Sequence, residues 1–268
     1  MSSCSVGING AGGRMGRALI AAVANDSECT LAAAVARESS GLLGLDAGTL
    51  AGVDVQQIVV GCDLSLALSS ATDVLIDFTQ PEPSLLAVAA CVSHARPVVI
   101  GTTGFSPKQL EEIHTAAHKI PVLLAPNMSV GVNLAFRLIA MAAEVLGDEV
   151  DIEVLESHHR DKVDAPSGTA VKIGEILAEA TGRSLADVAL YGREGNTGVR
   201  NRNTIGFSSV RAGDIVGEHT VLFAGDGERI EITHKASSRM NFALGGVRAA
   251  KWLVDKRPGL YSMADVLS

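Results

Sequence analysis

The sequence predicts an α/β protein in two parts: a doubly wound domain around a parallel sheet, and a second α+β domain with an open mixed β-sheet. Three observations carry that prediction. The composition is 47% hydrophobic and only 3% aromatic, which suits strands buried on both faces of a parallel sheet. Over the first half, short apolar runs alternate with helical stretches, the pattern of βα units. Beyond Val150 the pattern changes to longer strands separated by hairpin turns.

Length and charge narrow the function. A chain of 268 residues has room for one large or two ordinary domains and ample core. The net charge of -8 argues against a general nucleic-acid or membrane-surface role. Cys4, Cys29, Cys62 and Cys91 have no paired spacing and read as small apolar residues in a reducing compartment. No basic segment precedes an apolar run at the N-terminus, and no uninterrupted apolar stretch is long enough to span a bilayer. A soluble, cytoplasmic protein is expected.

In chain order, residues 5–9 form a strand that runs into Gly10-Ala11-Gly12-Gly13-Arg14-Met15-Gly16, and residues 17–25 are helical. Strand, glycine turn and helix are the context of a Rossmann-type dinucleotide-binding domain. Met15 stands where the strict fingerprint has its third glycine, so the spacing is G-x-x-G-x-x-G at Gly10, Gly13 and Gly16. The same turn could serve only to join strand to helix.

The next strand, 30–36, ends in Ala36, Arg37 and Glu38. An acid at that place accepts from the ribose 2′-OH of NADH, whereas an arginine suits the 2′-phosphate of NADPH. Arg37 therefore favours NADPH, and Glu38 leaves NADH possible. Residues 41–52 read as a loop, and residues 53–68 carry no clear pattern. A strand at 74–78 is followed by a break at 79–83 and a helix at 84–94.

A strand at 97–100 ends in Gly101, Thr102 and Thr103. A helix at 107–119 leads to a strand at 121–124 and the loop Ala125-Pro126-Asn127-Met128. Ligands of open α/β sheets bind beyond the carboxyl ends of the strands, so these loops and the glycine turn should line one crevice.

The helix at 130–146 is apolar on most faces and suits a buried or bridging element. Strands follow at 151–157, 204–211, 218–224 and 228–234, the last two joined by the hairpin Gly225-Asp226-Gly227. A helix at 242–254, with the only Trp at 252, should return to the first part. The expected domains are 1–128 with 239–268, and 129–238. Residues 129 and 239 are then the crossing points and natural hinges.

The chemistry concentrates in residues 156–170, ESHHRDKVDAPSGTA. Four basic or titratable groups, His158, His159, Arg160 and Lys162, fall within five residues of an acidic protein, just before a loop that opens a helix at 170–180. Such groups can hold an anion and exchange protons. The backbone N–H groups at the helix start would face a carboxylate. A solvated strand end followed by a simple helix cap would look the same. A metal site suits the pattern poorly, because adjacent histidines on a strand point to opposite faces.

A dinucleotide turn in one part and a cation cluster in the other imply hydride transfer to a small anionic substrate. At this point the motifs GAGGRMGR (10–17), DFT (77–79), GTTGF (101–105), HHRDKVDAPSGTA (158–170) and ITHKASSRM (232–240) resemble, in order and across nearly the whole chain, those of the 4-hydroxy-tetrahydrodipicolinate reductase (dihydrodipicolinate reductase) family.

The resemblance implies reduction of the cyclic dicarboxylate of lysine and diaminopimelate biosynthesis by NADPH or NADH, in a homotetramer built through the second sheet. It implies that His158 gives and takes protons, that Lys162 is a second proton donor, and that His159, Gly168 and Thr169 hold the substrate carboxylates. Cofactor contacts are implied at Gly10, Ala11, Gly12, Gly13, Arg14, Met15, Arg37, Gly101, Thr102, Thr103, Ala125, Pro126, Asn127 and Met128. Many members carry an acid where this chain has Ala36, so a preference for NADPH is expected. Another NAD(P)-dependent dehydrogenase of amino-acid metabolism, or a non-catalytic nucleotide sensor, are the alternatives.

Overall fold

The computed structural model describes residues 3–69 and 71–268. The chain divides into two compact units, Met1–Val130 with Arg239–Ser268, and Gly131–Ser238.

The first unit opens with β1 (Cys4–Asn9), α1 (Arg14–Ala24) and β2 (Cys29–Val35). The region expected to be a loop holds a short helix, α2 (Ala47–Ala51), because the Asp46 side chain accepts from Thr49 N and caps it. The unassigned stretch that follows contains β3 (Val60–Gly61) and α3 (Leu64–Ala67), the latter capped by Asp63. Next come β4 (Val74–Asp77), α4 (Pro81–Ser93), β5 (Val98–Ile100), α5 (Pro107–Ala117) and β6 (Pro121–Leu124). Helix α4 starts three residues earlier than expected, since Pro81 sits at a first-turn position where a missing N–H costs nothing. A capping box of Ser106 and Gln109 opens α5.

The second unit is built from α6 (Val130–Leu146), β7 (Asp151–His158), α7 (Gly168–Ala180), α8 (Leu185–Val188), β8 (Ala189–Tyr191), β9 (Ile205–Arg211), β10 (Gly217–Ala224) and β11 (Arg229–Ala236). The chain then returns to the first unit with α9 (Met240–Leu253), β12 (Gly259–Tyr261) and α10 (Met263–Val266). The sequence pattern did not indicate α8, β8, β12 or α10, each too short to show a period.

The first sheet has the order β12-β6-β5-β4-β1-β2-β3 with every pairing parallel. Strand order reverses between β1 and β4, the point at which dinucleotides bind in doubly wound folds. One face packs Ile8, Leu19, Ile20, Ile76, Val247 and Leu253, and the other packs Leu75, Val98, Ile100, Ile113 and Val122. Cys29 and Cys91 are buried, Cys4 is partly buried and Cys62 is exposed.

The second sheet is mixed, in the order β11-β10-β7-β9-β8, with β10 antiparallel to both neighbours and β7, β9 and β8 parallel. Ile152, Val154, Val221 and Phe223 on one face pack with Ile139 and Ala143 of α6 and Ile173 and Leu177 of α7. Alternation sends Leu155 and Val210 to the other face, where both are exposed. The segment Val130–Glu149 is long and apolar enough to cross a membrane by length and composition alone. It carries Arg137 and Glu144, and its Ile139 and Ala143 belong to the core.

Candidate active site

In the first unit the carboxyl ends of β1, β4, β5 and β6 are tied together. The Asp77 carboxyl, fully buried at the end of β4, is the knot. Asn9 Nδ2 donates to its Oδ1 at 2.7 Å, Thr79 Oγ1 donates to Oδ1 at 2.8 Å, and Thr102 Oγ1 donates to Oδ2 at 2.7 Å. Thr102 Oγ1 in turn accepts from Thr79 N at 2.9 Å. Gly10 N and Ala11 N both donate to Val35 O at the end of β2, and Ala125 N donates to Ile100 O at the end of β5.

The glycines explain how closely these loops approach. Gly10 has φ +84°, and a Cβ there would lie 2.9 Å from the Thr79 methyl. A Cβ on Gly16 would lie 2.1 Å from Gly10 O, so this glycine lets α1 pack against the turn. Helix α1 has no side-chain cap at Gly13 and no acid in its first turn, which leaves its positive end suited to a diphosphate.

Of the residues singled out for a cofactor, Gly10, Ala11, Gly12, Gly13, Arg14 and Met15 form the turn and the start of α1. Gly101, Thr102 and Thr103 follow β5, and Ala125, Pro126, Asn127 and Met128 follow β6. Thr102 and Met128 are buried, whereas Thr103 and Pro126 are exposed. Asn127 Oδ1 accepts from Ser129 N at 2.9 Å, fixing that loop. Arg37 and Glu38 are both exposed beyond the end of β2.

In the second unit, β7 is one residue longer than expected and includes His158. Alternation places Glu156 and His158 on the same, buried face, while His159 lies just past the strand end and is partly exposed. His158 Nδ1 and Glu156 Oε2 are 2.5 Å apart. Arg211, opposite His158 on β9, donates to both Glu156 oxygens at 2.9 and 2.7 Å, and Ser167 N donates to Oε1 at 3.3 Å.

Burial alone would raise the Glu156 carboxyl, but hydrogen bonds from Arg211, Ser209 and His158 outweigh it and hold it down to about 2. Burial also lowers His158, against the opposing pull of Glu156 and with help from the Lys162 and Arg211 charges. The His219 ring on β10 meets that of His158 edge-on at 5.2 Å, and its Nε2 lies 3.0 Å from Ser167 Oγ. Burial drives His219 down to about 4.

Lys162 turns back on its own loop, its Nζ donating to both Asp164 oxygens at 2.8 and 2.9 Å. Ser167 caps α7 by accepting from Ala170 N. The helix begins at Gly168, two residues earlier than expected, so Gly168 and Thr169 lie in its first turn, at the positive end of the helix. No acid occupies that turn.

Glu156, Arg211, Ser167 and His219 were not assigned roles from sequence. The Glu-x-His spacing on a strand could have indicated Glu156, but nothing local pointed to Arg211 or His219. Among the described residues no group of three or more His, Cys, Asp or Glu is arranged to hold a metal ion.

Known proteins match both units. The family model for the dihydrodipicolinate reductase N-terminus matches residues 4–128, and that for the C-terminus matches residues 131–267. The chain is 54% identical over 262 residues to the 4-hydroxy-tetrahydrodipicolinate reductase of Saccharophagus degradans, covering 98% of this chain and 97% of that protein. A dihydrodipicolinate reductase from Paenisporosarcina sp. TG-14, solved with dipicolinate bound, superposes with a TM-score of 0.78 at 26% identity over 97% of each chain. GenD2 from gentamicin A biosynthesis, solved with NAD, shares the fold at a TM-score of 0.62 and 16% identity, covering 100% of this chain and 91% of its own. With both halves matched along nearly the full length, and with the glycine turn and the His158 cluster built as described, this chain belongs to the dihydrodipicolinate reductase family.

Proposed function

We propose that the protein catalyses the NAD(P)H-dependent reduction of 4-hydroxy-tetrahydrodipicolinate to tetrahydrodipicolinate, with loss of water, in lysine and diaminopimelate biosynthesis. The observation that carries this reading is the match of both halves to one reductase family, on a chain whose own geometry supplies an uncovered helix end after a glycine turn and an imidazole paired with a buried carboxylate. Residues 1–128 with 239–268 bind the dinucleotide, and residues 129–238 bind the substrate and assemble the oligomer.

When bound, the reduced nicotinamide supplies the hydride. The residues of the chain do the rest. The turn from Gly10 to Met15 and the start of α1 receive the diphosphate. Thr102, oriented by Asp77, and the loops Gly101 to Thr103 and Ala125 to Met128 bound the crevice at the carboxyl ends of the strands. Arg37 faces the ribose end, and with Ala36 beside it in place of an acid, NADPH is preferred and NADH remains usable.

His159 and the backbone N–H groups of Gly168 and Thr169 hold the two carboxylates of the substrate. His158 and Lys162 handle protons as the 4-hydroxyl leaves as water, hydride adds at C4 of the conjugated imine, and the neighbouring carbon is protonated. The balance is one hydride and one proton added for each water lost. Lys162 leaves Asp164 to take this part.

The exposed Leu155 and Val210 on the open sheet face support a homotetramer joined through the second sheets, because an uncovered apolar sheet face is a liability that self-association removes. The protein acts on a small dicarboxylate in the cytoplasm, with no nucleic-acid or membrane partner. A spectrophotometric assay with freshly generated substrate and each cofactor tests the reading: oxidation of NADPH that depends on the substrate supports it, and NADPH that binds but is never consumed defeats it.

A further inference from the structure

We infer that Glu156, clamped by Arg211, is a positioning residue for proton transfer, holding the His158 imidazole so that Nε2 is the nitrogen that exchanges protons. This rests on the assignment of His158 to the proton steps above.

Glu156 is only 2% exposed, and among the described residues the groups that reach it, with the Ser209 side chain among them, can all donate. Two of the contacts come from the Arg211 guanidinium, one from Ser167 N, and the shortest from His158 Nδ1 at 2.5 Å. A carboxylate held ionised by a two-pronged arginine has no proton to give. His158 Nδ1 must therefore carry the hydrogen between them, which leaves the lone pair, or an added proton, at Nε2.

That second nitrogen lies beside Gly217 at the start of β10, where a Cβ would be only 3.0 Å away. A glycine there keeps a side chain from covering it. The charged or titratable groups facing the ring are Glu156 on the same strand, Arg211 from β9, His219 from β10 and Lys162 from the following loop. Glu156 is the one carboxylate among them, so it alone favours the imidazolium, against burial and the two cations.

The same carboxylate fixes more than a tautomer. By accepting from Ser167 N it also holds the residue that caps α7, and the first turn of α7 presents Gly168 and Thr169. One buried group thus sets the register between the proton-transfer atom and the proposed carboxylate-binding turn. A nucleophile or base oriented by a third group follows the same logic.

The test compares the full-length wild type with Glu156→Gln, Glu156→Asp and His158→Gln, reading kcat across pH and NADPH affinity by fluorescence. Glu156→Gln should lower kcat by on the order of 10²-fold, leave NADPH affinity within about twofold, and move the alkaline limb of the profile to lower pH. Glu156→Asp should recover part of kcat and of the limb. An inactive His158→Gln beside a Glu156→Gln variant whose limb stays where the wild type has it overturns the role of Glu156 alone. A fully active His158→Gln overturns the assignment beneath it as well. Should Glu156→Gln fail to fold, 15N NMR of the wild-type histidines still decides the point. The Nδ1-protonated tautomer for neutral His158 supports the inference, and the Nε2-protonated tautomer overturns it.

Discussion

Asn9 and Asp77, 68 positions apart in the chain, share a buried hydrogen bond of 2.7 Å from Asn9 Nδ2 to Asp77 Oδ1. The pair joins the ends of the two strands that flank the reversal in strand order. Asp77→Ala would leave the Asn9 amide and the Thr102 hydroxyl without their acceptor, and the Thr79 hydroxyl with only its longer bond to Gln80 O. A loss of about 3 kcal/mol in unfolding free energy is expected, since each buried donor left unpaired costs about 1–3 kcal/mol. Urea titration measures it, and NADPH affinity should fall with it because Thr102 is released.

Gly16→Ala is expected to weaken both stability and cofactor binding. The new methyl would meet Gly10 O at 2.1 Å, a backbone atom that can move only if the turn moves. Overpacking of this kind costs about 1–3 kcal/mol. Thermal unfolding and NADPH titration should both register it, whereas Gly41→Ala, with open space around its Cβ position, should change neither.

His158→Gln and Lys162→Ala should each reduce kcat by about 10²–10⁴-fold while NADPH binding stays near the wild-type value. Asp164, which engages Lys162 through both oxygens, is half-exposed, so Asp164→Asn should change stability by less than about 1 kcal/mol. Full turnover in His158→Gln or Lys162→Ala, measured by cofactor absorbance, would remove that residue from the chemistry.

Acid should destabilise the protein in two stages. Burial lowers His219 to about 4 from an ordinary 6.5, and it lowers His158 and His234 as well. The unfolded chain then takes up protons that the folded one refuses, so this contribution is intact above pH 6.5 and is lost as pH falls through the folded values. Glu156, held at about 2 against an ordinary 4.5, adds a second loss that begins only below about pH 4.5. Denaturant midpoints measured against pH should show both, and His219→Gln should shrink the upper stage without touching the lower.

Arg37→Ala should raise KM for NADPH about tenfold, the equivalent of about 1.4 kcal/mol, and leave KM for NADH nearly unchanged. The arginine is exposed beyond β2, so loss of a phosphate contact should not disturb the fold. Equal effects on both cofactors would show that it does not read the 2′-phosphate.

What could be read from the chain alone was local. The Gly10, Gly13 and Gly16 spacing marks a strand-to-helix turn because only glycine admits φ +84° at position 10 and backbone contact at position 16. Short apolar runs such as 74–76 and 121–124 announce buried parallel strands, whereas the start of α7, expected at 170, lies at Gly168 behind the Ser167 cap. The motif order added the family. Short elements escaped, since three residues of β12 or four of α10 hold too little more than one period for a pattern to repeat.

The tertiary structure alone decided which side chains share a charge or a proton. Glu156 meets Arg211 across 55 positions, and Asp77 meets Asn9 across 68. Nothing in the neighbouring sequence encodes either partner, because strand pairing, and no local propensity, brings β9 beside β7 and β1 beside β4. Residue types make the proposed proton-exchanging anion site possible, and pairing on a buried strand sets His158 apart within the cluster, since there the ring meets a carboxylate that is almost wholly shielded from water.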